Sequence, residues 1–412
     1  MPVEPAFLVD GALALPATAV RGRTVADDDE DAVTLAAEAG LALLERTRAR
    51  PQALVLATTT PPYDEGGSVQ ALAELLGVGP DVFALELTAS LRDGLAALRV
   101  AAALGGTALV CASHRGRGRD DGHGGAAVLV AADGGVAALR PGPARAEELR
   151  DRYRLAGAPE RSEADPSFVW DAGAPRLARE WGLEAPSVVG PAARIAARAE
   201  RELGGPGDEL AGETGVLGAA HALARILLGL ERPQRVLAAA SGLAEAIEVE
   251  PASGGGAAEV AARARAALAK ERRTEPPPPL DWSALDPYTS APRSWRERGQ
   301  DLRLEAGRCA ACGRIVFPHP QTCPGCGSRE LSAERLPRAG TVLTQTRDHV
   351  YPLGRSTAMA VVELDGGARF YGQVVPSASV AIGTRVRLVP RRLHNGAGAA
   401  QYFWKIAPAE AS

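Results

Sequence analysis

Four of the five cysteines in this 412-residue chain lie within 18 residues of one another, in two turns of the same form. The turns read Cys309-Ala-Ala-Cys312-Gly and Cys323-Pro-Gly-Cys326-Gly, with ten residues between Cys312 and Cys323. Each turn can point two thiolates at one metal ion, and two turns complete a tetrahedral four-sulfur shell. No ligand position is then left for water, so we predict one structural zinc ion per chain. A rubredoxin-like iron site and disulfides are the alternatives.

The composition is that of a globular protein, with 46% apolar residues, 23% charged residues and a formal net charge of −4. At about 150 residues per domain, the length allows two or three domains, each with its own core. The N-terminal residues lack a basic segment and a long apolar segment, and no apolar run is long enough to span a bilayer. We therefore expect a soluble, cytoplasmic protein without membrane insertion.

Charge is unevenly distributed along the chain. Residues 296–412 contain 16 basic and 9 acidic residues, a net charge of +7, so residues 1–295 carry −11. A basic module joined to an acidic body predicts an anionic ligand or partner for that module.

Four consecutive prolines, Pro276–Pro279, mark the clearest boundary, because such a run favours an extended polyproline II spacer and excludes helix. Before it, helical patterns alternate with short apolar strands, apart from residues 140–186, which are Pro-rich and poorly patterned. This alternation predicts a mainly parallel, helix-covered sheet built from two similar halves, the second shorter. Helices are predicted at 31–45, 68–76, 91–104, 192–203 and 215–228, and strands at 53–58, 83–87, 107–113, 126–132, 235–240 and 246–250.

Short β segments dominate the sequence beyond the prolines. The predicted strands are 340–350, 358–364, 368–375, 385–389 and 401–406. Asp365-Gly366-Gly367 predicts the turn of a hairpin between the second and the third. Five short strands in about 75 residues suit a five-stranded β-barrel of the OB type.

Residues from about 280 to 412 resemble a family of small proteins that combine a rubredoxin-like zinc ribbon with an OB fold, known as domain of unknown function thirty-five. The resemblance rests on Trp282 and Trp295 ahead of the cysteines and on the stretches CAACGRIVFPHPQTCPGCGS, AGTVLTQT, AVVELDGGARFYGQVV and QYFWKIAP. It implies a partner or acyl-CoA-binding subunit of thiolases and related enzymes. A basic surface would suit the phosphates of coenzyme A.

The first 265 residues resemble the thiolase superfamily, nearest to archaeal-type 3-hydroxy-3-methylglutaryl-CoA synthases and ketoacyl synthase III. The resemblance rests on the order and spacing of DEDAVTLAAEA, LATTTPPY, FALELTASLRDGLAAL, DDGHGGAAVLV, VVGPAARIAARAERELG, GETGVLGAAHALARILLGL and RVLAAASGLAEAIEVE. It implies a shortened α/β domain with α/β/α/β/α layers. The expected division is a thiolase-like domain at 1–270, a Pro-rich linker at 271–295, a zinc ribbon at 296–335 and an OB barrel at 336–412.

The same resemblance implies a covalent mechanism whose residues are missing here. Members of the superfamily attack a thioester with a cysteine at the start of a buried helix, activated by histidine and helped by asparagine or a second histidine. These positions fall on other residue types: the nucleophile on Leu91, the histidine on Val189 or Gly190, the asparagine on Glu213, and the acid/base glutamate of the synthase branch on Thr59. We therefore predict a catalytically silent thiolase fold, or pseudoenzyme.

Three residues are candidates to replace the missing chemistry. Ser90 lies beside the nucleophile position but needs a neighbouring base. Cys111 lies inside the apolar run ALVCAS, where a buried, inert thiol is typical. His123 lies in the glycine-rich stretch DDGHGG, which in the family is near the active centre but is also typical of a solvated turn.

Three functions follow as hypotheses. The first is a non-catalytic, acyl-CoA-binding scaffold subunit that partners an active thiolase-, synthase- or aldolase-type enzyme of lipid metabolism, in a homo- or hetero-oligomer. The second is an active acyltransferase like 3-hydroxy-3-methylglutaryl-CoA synthase or ketoacyl synthase.

The third hypothesis is a single-stranded nucleic-acid-binding protein. The +7 charge supports it, as do aromatic side chains that could stack on bases: Phe370, Tyr371, Tyr402, Phe403 and Trp404. We do not favour nucleic acid as a partner, because consecutive aromatics on a strand alternate faces and about half must be core.

Overall fold

The computed structural model describes residues 5–118, 120–155, 158, 161–276, 279–280, 282, 290–350, 356–396 and 398–409. The chain divides into an N-terminal unit of Met1–Ala26 and Asp31–Pro276, and a C-terminal unit of Asp27–Glu30 and Pro277–Ser412. The spacer predicted for Pro276–Pro279 includes residues 277 and 278, which lie outside the described residues.

The N-terminal unit alternates strands and helices through most of its length. Its strands are β1 (Ala6–Ala14), β2 (Thr18–Ala19), β3 (Thr24–Val25), β4 (Ala53–Thr58), β5 (Phe83–Leu87), β6 (Ala108–Arg115), β7 (His123–Ala131), β8 (Ala137–Ala146), β9 (Arg152–Tyr153), β10 (Ser162–Glu163), β11 (Ser187–Val189), β12 (Gln234–Ala240) and β13 (Leu243–Pro251). Its helices are α1 (Ala32–Thr47), α2 (Val69–Leu76), α3 (Asp93–Leu104), α4 (Pro166–Ala172), α5 (Ala174–Glu180), α6 (Ala193–Glu202), α7 (Glu209–Thr214), α8 (Ala219–Leu228) and α9 (Gly256–Leu268).

Among the described residues of this unit, nine strands form one sheet in the order β11-β12-β13-β8-β1-β7-β6-β4-β5. In the first half, β1 pairs antiparallel with β7 and β7 with β6, whereas β6 pairs parallel with β4 and β4 with β5. The strands β8, β13, β12 and β11 repeat these directions, and the halves join where β1 pairs with β8. The described part of the second half has no counterpart of β5, in agreement with the prediction of two similar halves, the second shorter.

The prediction of a mainly parallel sheet was wrong, because the sheet is mixed. Hairpins turn β6 back into β7 and β12 back into β13, and both pairings are antiparallel. The central antiparallel strands β1 and β8 were also missed. β8 contains Pro141-Gly142-Pro143, which hides its pattern, since proline and glycine are depleted in strands.

Local sequence explains the elements that were predicted. β4 and β5 occupy the predicted residues 53–58 and 83–87, and every residue of β4 is buried, as in a strand covered on both faces. Asp31 is the N-cap of α1. Its carboxylate accepts a hydrogen bond from the Thr34 amide at 3.0 Å, and the Thr34 hydroxyl accepts one from the Asp31 amide at 2.8 Å. This reciprocal cap satisfies two donors at the helix start.

The core of the unit lies where α3 and α8 pack against each other. α3 contacts β4 and β6 of the first half and β13 of the second, and α8 contacts β7 and β12. A Cβ atom at Gly94 of α3 would lie 2.0 Å from the carbonyl oxygen of Ala219 in α8. Only glycine permits this approach, which places two helices against both halves of the sheet and confirms the predicted layered α/β fold.

The C-terminal unit contains one described helix, α10 (Ala291–Asp301), followed by β strands. The strands are β14 (Glu305–Cys309), β15 (Ile315–Val316), β16 (Leu331–Arg335), β17 (Ala339–Asp348), β18 (Thr357–Leu364), β19 (Arg369–Gln373), β20 (Arg385–Gly396) and β21 (Ala399–Pro408). Within the described residues, the first three form a sheet in the order β15-β14-β16 and the other five a sheet in the order β19-β18-β17-β20-β21.

The five-stranded sheet closes on itself. Val374, just after β19, forms a bridge with Ile406 of β21, and the Val375 amide donates to the Ile406 carbonyl at 2.9 Å. Phe370 and Trp404 are fully buried inside. The prediction of a zinc ribbon followed by a five-stranded barrel is therefore confirmed. Of the helices in the described parts of the chain, none combines the length and apolar character needed to cross a lipid bilayer.

The α3–α8 contact predicts that two glycine-to-alanine changes in helices have different effects on the free energy of unfolding. Gly94→Ala should destabilise the protein by about 1–3 kcal/mol, because the methyl group meets backbone that cannot move aside freely. Gly212→Ala in α7 is the matched control, since its Cβ would meet nothing within 4 Å, and it should be neutral or slightly stabilising. Urea unfolding measures both, and equal stabilities would contradict the close helix contact.

Candidate functional sites

The four clustered cysteines meet at one point of the C-terminal unit. Their Sγ atoms all lie within 4.8 Å of one another, with 3.6 Å between Cys309 and Cys326 and 3.7 Å between Cys312 and Cys323. Sulfurs bound to one zinc ion at about 2.3 Å lie about 3.8 Å apart, whereas disulfide sulfurs lie about 2.05 Å apart. The arrangement therefore fits a four-thiolate metal centre and not disulfides.

The same backbone turn builds each half of this centre. The amide of Gly313 donates to the carbonyl of Cys309, and the amide of Gly327 donates to the carbonyl of Cys323, both at 2.9 Å. The φ angles of these glycines are +71° and +76°, a left-handed conformation that favours glycine. Cys309 and Cys323 are buried and the other two cysteines exposed. Four thiolates fill a tetrahedral shell, so the donor set suits a structural zinc ion.

A second candidate site is a cavity of about 180 Å³ in the N-terminal unit, which we call the α3 cavity. It lies where α3 and α8 begin and where β4, β6 and β12 end. It is lined by Thr59, Thr88, Ala89, Ser90, Leu91, His114, Arg152, Tyr153, Arg154, Arg161, Gly218, Ala240 and Ser241.

His114 is the imidazole of the α3 cavity. Its Nδ1 lies 3.0 Å from the Thr59 hydroxyl, and its Nε2 lies 3.4 Å from the Asp121 carboxylate. Burial lowers the pKa of His114 and favours the neutral ring. Burial alone would raise the pKa of Asp121, but His114, Arg152 and Arg161 together hold it well below its usual range. Asp121 is thus a buried anion whose charge its neighbours balance.

Only some of the residues that replace the thiolase catalytic residues lie together in the structure. Thr59 and Leu91 line the α3 cavity. Val189 is buried in the core of β11, and Glu213 is exposed in α7; neither lines the cavity.

The candidate replacement residues have different surroundings. Ser90 lines the α3 cavity, and its hydroxyl accepts a hydrogen bond from the Arg92 amide at 3.3 Å. Cys111 lies within β6, fully buried, and burial raises the pKa of its thiol to about 12. A thiol of that pKa is not ionised near neutral pH and is a poor nucleophile.

Both ring nitrogens of His123 form hydrogen bonds with backbone groups. Nδ1 accepts from the Ala26 amide at 2.8 Å, and Nε2 donates to the Gly116 carbonyl at 2.9 Å. Burial lowers its pKa to about 4, so the ring is neutral near neutral pH. These contacts give His123 a structural role at the start of β7 rather than that of a solvated turn.

Sequence reasoning did not find the charged group around His114. Asp121 lies in the same glycine-rich stretch as His123, but nothing in its neighbours indicates an ion pair with residues 31 and 40 positions away. Arg152 and Arg161 lie in the poorly patterned region 140–186, on and next to the short strands β9 and β10. Only the folded chain places Arg152 at 3.2 Å and Arg161 at 2.8 Å from Asp121.

The barrel has a cavity of its own, of about 440 Å³, which we call the barrel cavity. Its lining includes Leu280, Gln345, Arg347, Ser356, Thr357, Gln373, Ser379 and Lys405. Arg347 is exposed, whereas Lys405 is buried. Apolar side chains, among them Val374, Val375 and Val380, complete the lining, and Arg347 places a solvent-accessible guanidinium at the wall.

The chain itself supplies part of the anionic partner predicted for the basic module. Asp27–Glu30 belongs to the C-terminal unit, where Asp29 lies 2.8 Å from the buried Lys405 amine and Glu30 lies 2.9 Å from Arg391. Residues 277–412 carry a net charge of +6, and the four acidic residues reduce the unit to +2. The excess of positive charge is smaller than the linear sequence indicates.

The aromatic side chains considered for base stacking are mostly core. Phe370, Tyr402 and Trp404 are buried, and Phe403 stacks on Phe370 with 5.8 Å between ring centroids. Tyr371 is 60% exposed. This agrees with the expectation that about half of these aromatic side chains belong to the core. Little aromatic surface is then left for stacking on bases.

Two comparisons concern the zinc ribbon and its relatives. Residues 296–332 match the rubredoxin-like zinc ribbon domain of ChsH2. A DUF35 domain-containing scaffold protein of Methanocaldococcus jannaschii is 34% identical over 127 residues, which are 29% of this chain and 90% of that protein. The chain belongs to the DUF35 scaffold protein family. Another member, from Methanothermobacter thermautotrophicus, is 30% identical over 131 residues, 29% of this chain and 97% of its own length.

The chain is also similar in fold to thiolase-like structures. A structure of the HMG synthase of the curacin biosynthetic pathway with holo donor-ACP has a TM-score of 0.55 at 17% identity, covering 66% of this chain and 86% of that one. Cerulenin-bound OleA of Xanthomonas campestris has a TM-score of 0.51 at 14% identity, covering 61% and 98%. Such identities establish the thiolase-like fold alone.

The metal centre predicts one tightly held zinc ion per chain, measured by elemental analysis of the purified protein. Cys323→Ser should reduce the zinc content from about one to near zero and loosen the ribbon, because the four-sulfur shell loses a ligand. Cys111→Ala is the matched control, since this cysteine is no part of the cluster, and it should keep its zinc. A metal-free wild type, or a Cys323→Ser variant with full zinc, would contradict the assignment.

Proposed function

We propose that this chain is a non-catalytic scaffold subunit, which docks a thiolase-, synthase- or aldolase-type acyl-CoA enzyme and binds acyl-CoA. The observation that carries the proposal is a thiolase-like fold in a chain of a scaffold protein family. Among the described residues, the cavity at the start of α3 is lined by Ser90 and Leu91 and by no cysteine. The superfamily resemblance assigns a thiolate nucleophile to this place. Without one, the fold keeps its surfaces but not the acyl-transfer chemistry.

An exposed sheet edge supports docking of a partner. β5 is the last strand of the nine-stranded sheet and pairs only with β4 among the described strands. Phe83 at its start is 52% exposed, Ala84 is exposed, and Leu85 and Leu87 are partly exposed. An apolar strand with an unpaired edge is a template for pairing with a strand of another chain. We assign this edge to a thiolase-fold subunit of the partner enzyme.

Affinity purification of tagged protein from the native cell tests the docking. A thiolase-superfamily subunit identified by mass spectrometry should co-purify with wild type and fall by about tenfold with Phe83→Asp, because a carboxylate would be buried in the new interface. Ile382→Asp, at a side chain 70% exposed in the C-terminal unit, is the matched control and should retain the partner. Equal capture by both variants, or no such subunit, would contradict docking through β5.

The barrel cavity supports the acyl-CoA part of the proposal. It has room for a substantial part of a ligand, polar groups at Gln345, Thr357 and Gln373, and the Arg347 guanidinium at its wall. Guanidinium groups bind phosphate through paired, charge-assisted hydrogen bonds. We assign the coenzyme A phosphates to Arg347 and the pantetheine to the cavity.

Isothermal titration with acetyl-CoA tests this assignment. Arg347→Ala should weaken binding by about tenfold, the effect of losing one charge-assisted hydrogen bond. Arg369→Ala removes an exposed arginine of the same barrel that does not line the cavity, so its affinity should equal that of wild type. Absence of binding, or equal loss in both variants, would contradict a coenzyme A site in the barrel cavity.

A further inference from the structure

The α3 cavity has a one-sided distribution of charge. Three arginines line it, Arg152, Arg154 and Arg161, and the described lining residues include no aspartate or glutamate. Walls of one sign in a partly enclosed site raise the local concentration of ions of the opposite sign. The cavity therefore favours an anion.

Two of these guanidiniums form ion pairs with the same carboxylate. Asp121, with a side chain only 2% exposed, lies 3.2 Å from Arg152 through Oδ1 and 2.8 Å from Arg161 through Oδ2. The Gly118 amide also donates to Oδ2, at 2.9 Å. Each Asp121 contact uses one Nη atom of a guanidinium that carries five donors. Arg152 also lies 3.2 Å from Glu163 through Nε and 3.5 Å from the Pro191 carbonyl through Nη1. The arginines are thus fixed before a ligand arrives, which lowers the entropic cost of binding.

The third guanidinium belongs to the exposed part of the cavity. Arg154 follows β9, which pairs with β10 so that Tyr153 faces Ser162 and Arg152 faces Glu163. Glu163 lies 3.2 Å from Arg152, but its side chain is 59% exposed and it does not line the cavity. The hairpin thus carries Arg152 and Arg154 to one wall, with Arg154 exposed to solvent.

The rest of the lining indicates which anion fits. Ala89, Leu91 and Ala240 form apolar wall, and the hydroxyl-bearing Thr59, Ser90 and Ser241 lie among them. A volume of about 180 Å³ compares with about 30 Å³ for one water in the liquid, so it exceeds what a single oxyanion needs. Carboxylate groups match the fork of arginine, and a short carbon chain would cover the apolar wall.

We propose that the α3 cavity binds a short-chain organic carboxylate through Arg152, Arg154 and Arg161. The binding is reversible and non-covalent, since the ion pairs need no nucleophile. This site is separate from coenzyme A binding in the barrel, so either assignment can fail without the other.

Isothermal titration of the full chain with succinate tests the proposal, with inorganic phosphate as the comparison anion. Wild type should bind succinate saturably, more tightly than phosphate and less tightly as sodium chloride rises, because salt screens the ion pairs. Arg154→Ala should weaken succinate binding by about tenfold. Arg150→Ala is the matched control, an arginine of the same segment with a 76% exposed side chain that pairs with Glu148 at 2.7 Å and does not line the cavity.

A chemical probe keeps the test independent of variant folding. Phenylglyoxal modifies arginine guanidiniums, and succinate should slow the modification of Arg154 in wild type while leaving Arg150 unaffected, as read by peptide mass spectrometry. The proposal is overturned by absence of saturable succinate binding, by phosphate binding more tightly than succinate, by equal affinities of the two variants, or by lack of protection at Arg154.

Discussion

The contact between α3 and α8 at Gly94 determines where the other parts of the N-terminal unit lie. Because Gly94 has no Cβ atom, the backbones of the two helices can come into direct contact; the Cβ of any other residue would clash with the Ala219 carbonyl. Their first residues, with Ser90 and Leu91 before α3 and Gly218 before α8, then meet in the α3 cavity. Gly218 repeats the constraint, since a Cβ there would lie 2.4 Å from Nδ1 of His114. Gly218 therefore makes room for the imidazole of His114.

The two cavities of this chain use positive charge in different ways. In the α3 cavity, buried Asp121 balances part of the charge of Arg152 and Arg161 and orients both side chains. In the C-terminal unit, Asp29 pairs with buried Lys405, leaving Arg347 as the exposed cation of the barrel cavity. A buried charge is tolerated only with a partner, so these carboxylates are needed for the fold before any ligand binds.

Several elements could be predicted because their signals are local. β4 is a run of six buried residues, and α1 combines helical spacing with a reciprocal cap at Asp31, so each could be found without knowledge of its neighbours. β1 and β8 could not be found in this way. Their role is to join the two halves of the sheet by pairing with each other, and the Pro-Gly-Pro of β8 is accommodated only by its place beside β13.

The sequence by itself indicated the metal centre, since each tight turn brings two cysteines together and the two turns lie within 18 residues. It also determined that a leucine, and not a cysteine, stands at the position that resembles the thiolase nucleophile. The tertiary structure alone decided the environment of His114, because Thr59, Asp121, Arg152 and Arg161 come from four separate segments. It also decided that Asp27–Glu30 neutralises part of the basic module. Electrostatic interactions depend on distance in space, and separation along the chain gives no measure of that distance.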